Sequence, residues 1–170
     1  MLLQVTVVTV GVLVAFLTAC SAGTPSVRPT TVGTPARTGA DTVVITVGAA
    51  APIRAEVAHT RAEREHGLMD RDQLAPGTGM IFVFPEQSTA SFYMFRTRMP
   101  LSIVFVRDDR VVSVAEMTPC TSADGADCRR YAAGAPYTHA IEAPGGHFTS
   151  AGVRPGDPVS IDGNLPAAPD

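Results

Sequence analysis

The run Leu101-Ser-Ile-Val-Phe-Val106 limits what this chain can become more than any other stretch. Only Ser102 interrupts it, so it shows neither a polar stripe at helical spacing nor a period-two alternation. It reads as a strand covered on both faces. Pro100 bars a continuous ladder or helix through it, because proline has no N–H to give. In front lies Ser91-Phe-Tyr-Met-Phe-Arg-Thr-Arg-Met99. Its residues 92–95 read as a second extended run, and Arg96-Thr97-Arg98 breaks the apolar pattern. The expectation is two hydrophobic strands meeting at a polar corner.

The flanking sequence supplies partners for such a strand. Thr42–Val47 is a β-branched run stopped by Gly48, and Ile53–Ala58 alternates apolar and charged residues like a half-exposed strand. Thr60-Arg-Ala-Glu63 is a capping box, predicting a short helix to about His66 that stops at Gly67. Met80–Phe84 reads as a strand closed by Pro85. Asp108-Asp109-Arg110 reads as a hairpin turn into Val111–Met117, and Tyr137–Ala143 as a further strand. A second short helical turn is expected within 145–152, then a turn at Pro155-Gly156-Asp157 and a last strand, Val159–Asp162. About seven short strands with two short helices predict a mainly β (α+β) domain, a compact antiparallel barrel-like sheet.

The first forty residues follow different rules. Residues 1–17 are apolar and end in Leu17-Thr-Ala-Cys20, which reads as a signal peptide over 1–19. The Leu-x-Ala-Cys ending resembles the lipobox of bacterial lipoproteins, which implies cleavage before Cys20, acylation of its thiol and anchoring by two or three acyl chains. No Lys or Arg precedes the apolar run; an uncleaved signal anchor is the competing reading. Residues 20–40 then form a Thr/Pro/Gly/Ala-rich tether reaching at most about 65 Å. The domain spans 41–162, with a tail over 163–170. Both readings put it outside the cytoplasm, lipid-anchored on the first, with the membrane as a partner.

Composition removes several function classes. A net charge of −3 argues against nucleic acid. All 13 basic residues are Arg, which excludes Schiff-base chemistry and a P-loop lysine. With Cys20 lipidated, Cys120 and Cys128 remain, and an even pair in an exported domain reads as a disulfide. Arg129 and Arg130 beside Cys128 keep open a labile, redox-active bond.

Several motifs then occur in one order: Gly67-Leu-Met-Asp-Arg71, Gly79-Met-Ile-Phe-Val-Phe84, Phe92-Tyr-Met94 with Thr97 and Pro100-Leu101, Met117-Thr-Pro-Cys120, and Gly156-Asp157. The series resembles the bacterial and archaeal family known as domain of unknown function 192. It extends over nearly all of 53–159. The resemblance implies a compact β-rich barrel with small helices, often behind a signal peptide, and no assigned activity. Members commonly carry Trp where Tyr93 stands, Lys-Asn where Phe95-Arg96 stand and Asp where Ser102 stands. This chain lacks that carboxylate.

Three kinds of site are conceivable. A pocket at the barrel mouth would draw on Arg71, Tyr93, Met94, Arg96, Thr97, Glu142 and Asp157, with Phe82 in its floor. Arg71, Arg96 and Arg98 would favour an anionic or polyhydroxyl ligand: a carboxylate, a phosphate or a cell-wall sugar. The competing reading makes Arg71 and Glu142 or Asp157 a structural ion pair. A copper or zinc site from His59, Glu63 and His66 needs one continuous helix, which the cap at Thr60 breaks, so no metal or other cofactor is expected. Hydrolytic motifs are missing; Cys120 with His139, or His147 as a base, are the remaining options for an enzyme. The sequence thus favours a binding or accessory module for an envelope component, with an envelope enzyme acting through the same polar corner, or a copper-handling lipoprotein, as the alternatives.

Overall fold

The computed structural model describes residues 41–169; the leader, Cys20 and the whole of the tether lie outside them. The strands are β1 (Thr42–Val47), β2 (Ile53–Ala58), β3 (Thr78–Ser88), β4 (Leu101–Arg107), β5 (Arg110–Met117), β6 (Tyr137–Pro144) and β7 (Val159–Asp162). They form one sheet in the order β5-β4-β6-β3-β2-β1-β7. Every pair is antiparallel except β2 with β3. A parallel pair cannot be joined by a hairpin, so residues 59–77 form a crossover, and it carries helix α1 (Arg61–His66).

The sheet curls until its two end strands meet at one corner. Val111 N–H donates to the Asp157 carbonyl (3.0 Å), and Gly156 N–H donates to Val111 (2.8 Å). The result is a curled half-barrel of mainly β structure.

Side-chain parity divides the two faces. Ile81, Val83, Val104, Val106, Ile141 and Ala143 enter an aliphatic interior with Val43, Ile45 and Ile53. Their neighbours one step along, Met80, Phe82, Leu101, Ile103, Phe105 and Ala140, point to the other face, where Met94, Met99, Met117, Tyr131 and Tyr137 join them. Strand β4, paired between β5 and β6, is buried from Leu101 to Val106, as its sequence requires.

Several expectations need correcting. Residues 93–100 are not a strand: Phe92 makes one isolated bridge to Tyr131, and the chain then turns, with Arg96 at φ 54°. Aromatic bulk there covers the outer face instead of joining the ladder. Pro85 does not close β3; the strand continues to Ser88 through a register shift between Val83 and Ser88. Proline's missing donor is tolerated where the ladder is already broken. The stretch 145–152 is a chain of turns rather than a helix, and its Phe148 plugs the interior. The second short helix is instead a 3-10 turn at Gly125–Asp127, inside the loop closed by the Cys120–Cys128 disulfide. Asp108 and Asp109 both take positive φ (53° and 54°), the two-residue turn that suits the twist of a hairpin.

Candidate functional site

Helix α1 is fixed by its cap. Glu63 N–H donates to Thr60 Oγ1 (3.2 Å), while Thr60 N–H donates to Glu63 Oε2 (2.9 Å). Gly67 ends it at φ 49°, where its missing Cβ avoids crowding the Phe82 ring at 3.2 Å. None of the helix is buried. Arg64 holds it to the sheet, donating to the carbonyls of His59 and Val83 and lying 5.3 Å from the Phe84 ring centre.

Between this helix, the outer face of β3 and β6, and the 90–97 segment lies a pocket of ≈ 270 Å³. Leu68, Phe82, Phe84, Phe92 and Tyr93 give it an apolar, largely aromatic wall; Arg61, Arg64, Glu65 and His66 stand around its rim. Thr97 and Glu142 are its buried polar groups. Phe82 and Phe92 meet edge to face at 5.0 Å, which sets the wall's shape.

Glu142 is the unusual member. Cross-strand pairing puts it between Met80 and Ile103, on a face otherwise filled by aliphatic, Met and aromatic side chains. It is 5 % exposed, and among the described residues nothing donates to its carboxylate or pairs with it. Burial alone pushes its pKa up to about 8. At neutral pH the side chain is therefore mostly a neutral acid with a proton to donate into the pocket.

Another carboxylate shows the opposite treatment. Glu116, opposite Ser102 in the β4–β5 ladder, accepts from Ser102 Oγ, from Thr149 Oγ1 (2.8 Å) and from Gly146 N–H (2.9 Å). A carboxylate thus stands beside Ser102 after all, supplied by β5, and its acceptor capacity ties the 145–152 turns to the sheet.

The structure brings Tyr93, Thr97 and Glu142 together at the pocket with Phe82. Met94 is buried and lines a separate depression beside Cys120. Arg71 forms a bidentate pair with Glu56 (2.6 and 2.7 Å), not with Glu142 or Asp157. Arg96 pairs in the same way with Asp70 (2.9 and 2.7 Å), and Arg98 reaches Asp72 at 2.6 Å. These arginines clasp the 70–72 loop to the 96–98 loop and to β2. Asp157 accepts from Arg154 N–H (2.8 Å) in the turn before β7 and does not line the pocket.

His59, Cys120 and His147 lie outside the lining of this pocket. His59 Nδ1 lies 3.2 Å from Glu63 Oε2, and among the described residues no three His, Cys, Asp or Glu side chains are grouped to hold a metal. Cys120 is in the disulfide, and His147 Nε2 lies 3.0 Å from the Ala51 carbonyl. Missed by sequence reasoning were Leu68, Phe92 and the α1 rim. For Leu68 and the rim the signal was topological, since the crossover is what lays α1 over this face.

The fold and its family are known from comparison. A 33 % identical protein of unknown function from Novosphingobium aromaticivorans superposes with a TM-score of 0.64, over 86 % of this chain and 99 % of that one. A Sinorhizobium meliloti protein, provisionally labelled a transcription regulator, is 25 % identical with a TM-score of 0.62, over 71 % and 94 %. A search of curated proteins found no match. The profile of the DUF192 family, described as an uncharacterised ACR, matches residues 43–161. Extending over most of the chain, that match makes this protein a member of the DUF192 family.

Proposed function

We propose that this chain is an extracytoplasmic, lipid-tethered binding module whose site is the pocket above Glu142, and that its ligand is a compact polyhydroxyl molecule such as an envelope sugar ring. One observation carries the reading: a buried acid with no partner among the described residues opens onto a pocket walled by aromatic rings. An unmade hydrogen bond at a buried carboxyl costs free energy, so a ligand that completes it gains that much affinity. A neutral acid can donate to a hydroxyl or ether oxygen and accept from a second hydroxyl, while ring faces of Phe and Tyr cover C–H surface. The pocket lies below the volume of drug-sized sites, which suits a single ring. Arg71, Arg96 and Arg98 support an anionic ligand less than their number suggests, since each faces a carboxylate. The transcription-regulator label is not carried over, because a net charge of −3 does not suit a DNA backbone.

The test is an NMR titration of the purified chain with a panel of neutral and anionic monosaccharides. A true ligand shifts Phe82, Phe92 and Thr97, loses binding on Glu142→Ala, and keeps it on Arg71→Ala. A panel with no hit, or hits indifferent to Glu142→Ala, overturns the site. The tether is tested apart: Cys20→Ala should abolish incorporation of labelled palmitate.

The same proton favours a second reading, an envelope enzyme using Glu142 as a general acid. It ranks second because burial is the sole cause of the raised pKa; no charged partner poises the group. Turnover of aryl glycosides that Glu142→Gln abolishes, with binding retained, would put it first.

A further inference from the structure

We infer that the Cys120–Cys128 disulfide is a redox-addressed latch on the pocket wall: reduced by a dithiol, the 118–131 loop lets go of Phe92 and Tyr93 and the site loses its shape. The inference deepens the pocket reading above and rests on it for its consequence, but its geometry is independent.

The wall segment has no ladder of its own. Phe92 and Tyr131 exchange two backbone hydrogen bonds, 2.9 and 2.8 Å, and Cys120 N–H donates to the Met94 carbonyl at 3.3 Å. Gly125 approaches so closely that a Cβ there would sit 3.2 Å from Phe95 and 3.3 Å from Tyr93. The Arg130 guanidinium lies 4.2 Å from the Tyr93 ring centre and donates to the Gly125 carbonyl (3.2 Å). Every one of these contacts comes from inside or beside the loop that the disulfide closes. Phe92, held through its backbone, and Tyr93, held through its ring, both line the pocket.

The bond is also reachable. Cys120 is half-buried and lines a depression with Arg129, Thr118 and Met94, whereas Cys128 is 4 % exposed. A dithiol attacks Cys120 Sγ as its thiolate, forming a mixed disulfide and expelling Cys128 as a thiolate that takes a proton from water. The reagent's second thiol, deprotonated, then displaces Cys120, which is protonated in turn. Two electrons pass to the protein, and the reductant leaves as its own disulfide. Arg129 lines the same depression as Cys120, and its charge favours Cys120 when that sulfur departs as a thiolate.

Hydrogen exchange and a pH titration of Glu142 by carboxyl NMR, on the full chain with and without dithiothreitol, test the latch. In the reduced protein the amides of Phe92 and Tyr131 should exchange at least tenfold faster while those of β4 and β6 keep their protection. The Glu142 midpoint should fall by a unit or more as water reaches the pocket. Arg130→Ala, with the disulfide intact, should shift the Tyr93 ring signals and lower that midpoint by less; Arg130→Lys should restore part of both. Loss of protection across the whole sheet would make the bond a plain staple and overturn the latch. So would unchanged exchange at Phe92 and Tyr131. If Glu142 titrates as an ordinary carboxylate in the oxidised protein, the pocket reading fails, while the amide data still decide the latch.

Discussion

The two faces of this sheet solve the same burial problem by different means. The interior is closed by strands and filled with Val, Ile and Ala, plugged by Phe148 and Val153. The outer face is covered by α1, the 90–97 segment and the disulfide loop, with Met, Phe and Tyr as filler. Strands present regular rows that β-branched side chains fill without gaps, whereas loops meet a sheet irregularly and need flexible or large side chains. The pocket appears under the loops. Cover made of irregular chain leaves room for a ligand, and there the sheet can carry a buried acid.

Two carboxylates sharpen the contrast. Glu116 accepts from three donors and fastens a loop; Glu142 accepts from none among the described residues. The largest expected effect follows. The folded state holds the Glu142 proton up to about pH 8, against 4.5 for an ordinary glutamate, so the native chain binds more protons than the unfolded one in that window. The stability this supplies is complete below pH 4.5 and lost as pH rises through 8. The change is roughly 3–5 kcal/mol. Urea unfolding at pH 4.5, 7 and 9 should show that decline in the wild type, and Glu142→Gln should remove it. A flat wild-type profile would place both carboxylates in the same class.

Next in size, Ile141→Ala on the strand-sealed side should cost about 3–4 kcal/mol, and Met99→Ala under the loops nearer 2, because loop cover can settle into a cavity. Equal costs, read from the same urea curves, would mean that the two covers are equally rigid. Ser102→Ala takes a donor from Glu116 and should cost about 1–2 kcal/mol. Thr60→Ala should cost about 1 kcal/mol by loosening α1, and tightened binding of a pocket ligand would not be expected from it.

Much of the sheet was legible because its code is local. Leu101–Val106, the Thr60–Glu63 box and the Asp108-Asp109 turn each sit where their own chemistry puts them. The parallel β2–β3 pair was not legible: Ile53–Ala58 alternates the same way whichever direction its neighbour runs. Residues 92–95 misled because aromatic side chains that cover a sheet and those that belong to one look alike in a short window. At the site, Glu142, Thr97 and Tyr93 were named from the residues, but so were Arg71 and Arg96, whose partners lie far off in sequence, and Asp157, which accepts from Arg154 N–H inside its own turn. A charge shows in a sequence; whether another charge cancels it depends on the crossover that brings Glu56 and Asp70 near.

The position of β6 between β3 and β4 has a consequence in time. Until residues 137–144 arrive, the β4–β5 hairpin and the strands on the other side of the gap share no hydrogen-bonded seam. The strand that welds them is the one carrying Glu142, so a nascent chain must insert an acid into grease to finish its wall. Assembly should therefore quicken in mildly acidic medium, where that insertion carries no charge.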